Sequence, residues 1–220
     1  MKKIAIGIGI IIGLLAIAKM LGLVVNYTLP TTSMEPSLKL NSHIISTSLM
    51  GHDVGDYIAF RPPLDLDKAQ TYVKRLCATA GDIIEMRNGV FYRNDENFDK
   101  ALVLQHAFVV DEYTYKRINK KYPITDYNAA NNDYHVMITD AVATEFQVMD
   151  RKLLEINLSS GGPILAGFDD SHSWTRDNFG PLTVPEGKAF AMGDNRHYSY
   201  DCRYFGFIEE DDITGVVIGK

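Results

Sequence analysis

The sequence predicts a mainly β protein: an N-terminal transmembrane helix, then a β-rich core into which a second, α+β subdomain is inserted. Three observations carry this. One strongly apolar run, Ile4 to Val25, lies at the N-terminus. From Asn26 onward short runs of β-branched and aromatic residues alternate with Gly, Pro, Asn and Asp, and no long amphipathic helical pattern interrupts them. Between about Asp95 and Glu186 the chain turns more polar and Asn/Asp-rich before the strand pattern resumes at Lys188.

The apolar run is about 22 residues long, and a helix needs roughly 20 to cross the hydrocarbon core. Lys19 interrupts it near the far end, where a long side chain can snorkel to the interface. Lys2 and Lys3 before the run, with few basic residues just after it, put the N-terminus in the cytoplasm and the remainder outside. The residues alone fit an anchor or a cleaved signal peptide, since Ala16-Ile17-Ala18 has the small-x-small form of a cleavage site. Either way the domain is exported.

Strands are expected at His43–Ser46, Asp56–Phe60, Thr71–Cys77, Ile83–Arg87, Val90–Arg93, Lys188–Met192 and Thr214–Ile218. Asn88-Gly89 between two of these runs is the residue pair of a type I′ hairpin turn. Pro62-Pro63 ends a strand in an extended turn. In the polar stretch short helices are expected around Ala101–Val110 and Asp140–Leu153. The chain thus divides into an anchor (1–25), a core (26–94 and 188–220) and an inserted, non-catalytic subdomain (95–187).

Composition narrows the function classes. A net charge of −6 over 220 residues argues against nucleic acid as a partner. The two cysteines, Cys77 and Cys202, form no Cys-x-x-Cys and leave open either one disulfide or two buried thiols. None of the six histidines stands at His-x-x-x-His spacing, so no metal is expected, and no cofactor. Asp169-Asp170-Ser171-His172 and Asn131-Asn132-Asp133-Tyr134-His135 lack the Gly and Glu spacing of a calcium loop and read as solvated loops. Asn26-Tyr27-Thr28 and Asn157-Leu158-Ser159 match glycosylation triplets, which are frequent by chance.

Four blocks carry chemistry: Ser33-Met34-Glu35-Pro36-Ser37 directly after the apolar run; Gly55-Asp56-Tyr57-Ile58-Ala59-Phe60-Arg61; Tyr72-Val73-Lys74-Arg75 followed by Gly81-Asp82; and Gly193-Asp194-Asn195-Arg196 continuing through Ser199, Asp201, Cys202 and Arg203 to Gly206. A serine hydroxyl attacks only when a base takes its proton, and a neutral lysine can be that base. Lysine titrates near 10.4 in water. A working base near neutral pH therefore needs a drop of roughly 2–3 units, the direction that burial among apolar side chains produces. Tyr72, Val73 and Met34 are candidates for such a wall, and on a strand Arg75 faces away from Lys74.

In this order and spacing the blocks resemble the type I signal peptidases, membrane-anchored Ser-Lys proteases that remove signal peptides from exported proteins. The resemblance spans residues 1–94 and about 178–220. It implies Ser33 as nucleophile and Lys74 as general base, with the Ser33 backbone N–H and the Thr31 hydroxyl as oxyanion donors. By the same resemblance Ser199 orients the lysine, Asp201 and Arg203 brace the site, and Leu29, Met34, Leu38, Tyr72 and Val73 line shallow pockets for an Ala-x-Ala sequence. It favours an anchor over a cleaved leader. It also implies a single-pass protein of the bacterial inner (plasma) membrane, with its catalytic domain on the extracytoplasmic side and preproteins and the lipid bilayer as partners. Oligomeric state stays open. The chain departs from the family pattern at Ala78-Thr79-Ala80, at Cys202 in place of serine, and at His197-Tyr198 in place of a more common Asp-Asn pair. Two rival readings are a Ser-Lys peptidase dedicated to one substrate, of pilin or conjugation type, and an anchored β domain that binds peptides without cleaving them.

Overall fold

The computed structural model describes residues 2–63, 70–124, 127–130, 133–154 and 174–219. The chain begins with a helix, α1 (Lys2–Met20). It stops short of Val25 because Gly22 takes a left-handed conformation (φ 72°). The amides of Gly22 and Leu23 then bond back to the carbonyls of Lys19 and Ala18, a Schellman closure. Val24 and Val25, assigned by their apolarity to the anchor, instead open β1 (Val24–Thr28). Among the described residues no helix is long and apolar enough to cross a membrane.

β2 (His43–Thr47), β3 (Tyr57–Phe60) and β4 (Tyr72–Thr79) follow, with β4 buried over six successive residues. β5 (Ile83–Arg87) and β6 (Val90–Arg93) form the expected hairpin, with Asn88 and Gly89 both at positive φ (50° and 76°). Two residues, β7 (Glu96–Asn97), pair back onto β6.

Gln105–Asp111, where a helix was expected, is a strand, β8. His106 to Val110 is a run of mostly apolar residues that suits helix or strand; pairing along its whole length with a partner strand decides the matter. Its first residues stay beside the core, Gln105 bridging Asn195 and the Ala107 amide donating to His197 Nδ1. α2 (Glu112–Lys121) is capped by Asp111, whose side chain accepts from the Thr114 amide. Next come β9 (Tyr127–Ala130), β10 (Asp133–Thr139) and the short α3 (Asp140–Glu145). The strands β8, β10 and β9 make a three-stranded sheet, and α2 and α3 cover a separate apolar cluster around Phe108, Ile118 and Val136. Asn131, Asn132, Asn157–Ser159 and Asp169–His172 lie outside the described residues.

The chain re-enters the core earlier than Lys188: β11 (Phe179–Thr183) pairs with β5. It continues through β12 (Lys188–Met192), the single-turn α4 (Cys202–Phe205), β13 (Ile208–Glu209) and β14 (Ile213–Gly219). A seven-stranded sheet runs in the order β1-β2-β14-β3-β4-β12-β13, and a four-stranded sheet runs β11-β5-β6-β7. Phe60, Leu76, Ile84, Phe91, Phe190 and Met192 belong to one buried cluster joining the two sheets. The molecule is therefore mainly β, and β4 lies in the interior of the larger sheet.

Candidate active site

Lys74 sits in the buried middle of β4, in register with Ile58 of β3. Ser33 arrives from the turn after β1. Although 41 residues separate them, the Lys74 Nζ donates to Ser33 Oγ at 2.6 Å, and the Thr31 hydroxyl donates to the same oxygen at 3.1 Å. Lys74 is only 4% exposed. Burial lowers its pKa from 10.5 to about 8. Asp201 pulls the other way and Arg203 with the burial, so the two largely oppose each other.

That opposition has a structural cause. The Arg203 guanidinium holds both Asp201 oxygens, Nε on Oδ1 at 2.9 Å and Nη2 on Oδ2 at 2.8 Å, and both side chains are fully buried. Asp201 also accepts from the Gly193 amide at 3.0 Å and caps α4. Burial alone would raise the Asp201 carboxyl; the charge and hydrogen bonds of Arg203 more than offset it and keep the group ionised. Lys74 thus sees a carboxylate already spoken for, and its nearest polar neighbour is a neutral hydroxyl.

Gly193 is required here by space. A Cβ at this position would lie 2.4 Å from the Ser33 carbonyl oxygen and 2.2 Å from Ser199 Oγ. The bare backbone lets the 193–195 segment lie against the Ser33 turn, where the Asn195 amide donates to Ser33 O at 3.1 Å and Asn195 Nδ2 to Thr32 O at 3.3 Å. Ser199, expected beside the lysine amine, is buried, and its hydroxyl makes no hydrogen bond among the described residues.

A cleft of about 340 Å³ opens onto Ser33 and Lys74. Leu29, Met34, Tyr72 and Val73 line it. Leu38 does not; it is 2% exposed and packs with Leu29, Met34 and Val73 in the cluster behind the cleft wall. Tyr198 and Tyr200 also line the cleft, and no sequence argument had placed them there.

Two ion pairs escaped sequence reasoning. On the face of β4 opposite Lys74, Arg75 grips Asp194 through Nε–Oδ1 at 2.8 Å and Nη2–Oδ2 at 2.6 Å, and also donates to Tyr57 OH and Gly55 O. Arg196 grips Asp99 with two bonds of 2.7 Å. Asp194 and Arg196 stand in the fourth motif block, which was the available signal, but their partners lie far off in the chain. Cys77 and Cys202 are both free and buried, with burial pushing the Cys77 thiol up to about 12 and that of Cys202 well above its ordinary value. Among the described residues no three His, Cys, Asp or Glu side chains are grouped to hold a metal ion.

A sequence model of the family described as signal peptidase, peptidase S26, matches residues 1–219. Signal peptidase I of Aquifex aeolicus (strain VF5) is 30% identical over 196 residues, 86% of this chain and 72% of that protein. Signal peptidase IB of Staphylococcus aureus (strain Mu50 / ATCC 700699) is 28% identical over 199 residues, covering 89% of this chain and 76% of that protein. A crystal structure of a signal peptidase I from Enterococcus faecalis V583 aligns with 24% identity over 78% of this chain and all of that one, with a TM-score of 0.38.

Proposed function

The chain belongs to the signal peptidase family, peptidase S26, and is a serine endopeptidase; from this premise we propose that it removes N-terminal signal peptides from exported preproteins with Ser33 as nucleophile and Lys74 as general base. The observation that carries this reading is the 2.6 Å contact between the lysine amine and the serine oxygen inside a cleft, with the amine's pKa brought down to about 8. Neutral Lys74 takes the proton as Ser33 Oγ attacks the scissile carbonyl, and returns it to the leaving amine. The Ser33 N–H and the Thr31 hydroxyl stabilise the developing oxyanion; losing one such donor typically costs on the order of 100–1000-fold. Thr31 is within one hydrogen bond of the reacting oxygen, which suits that role.

Ser199 orients the lysine, a role for which its buried hydroxyl is unengaged. Asp201 and Arg203 brace the loop that carries it. Leu29, Met34, Tyr72 and Val73 take the small side chains of an Ala-x-Ala site, with Leu38 supporting them from behind. The smaller sheet with α2 and α3 is a non-catalytic lobe. α1 is the anchor: nineteen residues at about 1.5 Å rise fall just short of a hydrocarbon core of roughly 30 Å, and Lys19, near its end, can reach the interface. That arrangement sets Ser33 close to an extracytoplasmic membrane surface.

The test is cleavage of a preprotein reporter carrying an Ala-x-Ala site, in detergent, by the wild type and by Ser33→Ala and Lys74→Ala. Cleavage by the wild type alone is expected. Cleavage surviving in both variants overturns the dyad; no cleavage by the wild type moves the reading to a peptidase dedicated to another substrate or to a binding domain.

A further inference from the structure

Pairing of β12 with β4 ends at Met192 and Arg75, one residue short of Lys74. Beyond that point the chain turns away through Gly193, and the 197–201 segment comes back alongside the cleft. Here the backbone alternates. Ser199 points inward (6% exposed), while Tyr198 and Tyr200 on either side of it are 58% and 48% exposed and both line the cleft. Two exposed aromatics lining one cleft make a local patch, which is more telling than a single exposed hydrophobe.

The two rings are held differently. Tyr200 stacks on Tyr204 at 5.2 Å and meets Phe205 at 5.7 Å, and Phe205 in turn meets Tyr72 at 6.3 Å. Tyr200 is therefore a fixed extension of the apolar wall that begins at Tyr72. The Tyr198 amide donates to Asn195 O at 3.1 Å, and its exposed ring stacks on no other ring among the described residues. Among the described lining residues, Lys74 alone bears a charge, and it is buried at the floor. A cleft of about 340 Å³ also holds more than two alanine side chains can fill.

We propose that Tyr198 and Tyr200 form a specificity-determining aromatic subsite, which takes one large aliphatic or aromatic side chain of the substrate peptide at a position outside the two small-residue positions. This rests on the reading of the cleft as a peptide-cleaving site. The chemistry is that of an apolar side chain held between two rings: offset or edge contacts between rings favour Phe, dispersion favours Leu, and the lack of an exposed cation among the described lining residues disfavours Asp.

The experiment uses the full-length protein in detergent and peptides with a fixed Ala-x-Ala site, varied one position at a time among Phe, Leu, Ala and Asp. The wild type is expected to prefer Phe or Leu over Asp at one position by about tenfold or more in kcat/KM. Tyr198→Ala and Tyr200→Ala should bring that ratio toward one, while Tyr198→Phe keeps it. A ratio that survives in both alanine variants, or no preference at any position, overturns the subsite. If the wild type cleaves none of the peptides, the protease reading fails separately. Fluorescence anisotropy of the same peptides on Ser33→Ala, with and without Tyr198→Ala, then decides: a Phe preference lost with the ring upholds the subsite, and its absence overturns it.

Discussion

Lys74 and Arg75 are neighbours on one strand, yet the two faces of β4 treat their cations in opposite ways. Arg75 meets Asp194 through two bonds on a face where the carboxylate is fully buried. Burial works against the guanidinium's charge, but the paired carboxylate more than offsets it and the pKa rises. Lys74 is buried more deeply, and the nearest carboxylate is already held by Arg203, so burial wins and the pKa falls to about 8. The difference teaches what makes a base. A buried cation with its own counter-ion is a strut; one whose counter-ion is occupied elsewhere loses its proton near neutral pH.

The largest effect that can break this comparison is kinetic. Lys74→Met, which keeps the length and removes the amine, should lower kcat by on the order of 10⁴-fold or more. Ser33→Ala should do the same, and the double variant should be no worse than either single one, because the pair acts as a unit. A double variant that loses the product of the two effects would separate the residues into independent roles.

On the other face, Arg75→Ala leaves Asp194 buried and unpaired. It should destabilise the fold by about 3–5 kcal/mol in denaturant melts. A loss under 1 kcal/mol would mean that Asp194 finds solvent or another partner.

Lys74→Met should do the reverse and stabilise. The folded pKa of about 8 lies below the unfolded value near 10.5, so the unfolded chain binds the extra proton between those pH values and stability rises with pH across that window. Below pH 8 both states carry the proton and the whole cost is present; above about 10.5 neither does. The gain from Lys74→Met is therefore expected to be at most roughly 3 kcal/mol at pH 6, fading to nothing above about pH 10.5. A gain that stays constant with pH would place its origin in packing rather than charge.

The gentlest probe is the rate itself. Log kcat/KM of the wild type should rise with unit slope below about pH 8 as Lys74 gives up its proton, then flatten. A flat profile from about pH 5 to about pH 9 would remove Lys74 as the base.

Legibility followed the range of the interaction. The β5–β6 hairpin was readable because Asn88-Gly89 is a local demand on φ, met at 50° and 76°. The runs Ile83–Arg87 and Lys188–Met192, bounded by Gly, Asn and Asp, matched their strands to the residue. The stretch around His106 to Val110 was misread because its apolar run suits a helix as well as a strand; only β10, more than twenty residues on, supplies the ladder. The end of the N-terminal helix was misplaced for a related reason: apolarity continues past the chain reversal at Gly22. Tyr198 stood out only as a departure from the family pattern and Tyr200 not at all, because the 197–201 segment reaches the cleft only through the tertiary fold.

By itself, then, the sequence determined the residue types and their order: a serine after an apolar run, a lysine in a strand-forming block, and a Gly-Asp-Asn-Arg segment with the small residue its crowding requires. Those are properties of one chain segment at a time. Which carboxylate each cation meets, how dry the lysine is, and which rings face the cleft were decided only by tertiary structure. The physical reason is that desolvation and ion pairing depend on everything within a few ångströms in space, and around Ser33 and Lys74 those neighbours come from segments about 40 to 170 residues apart.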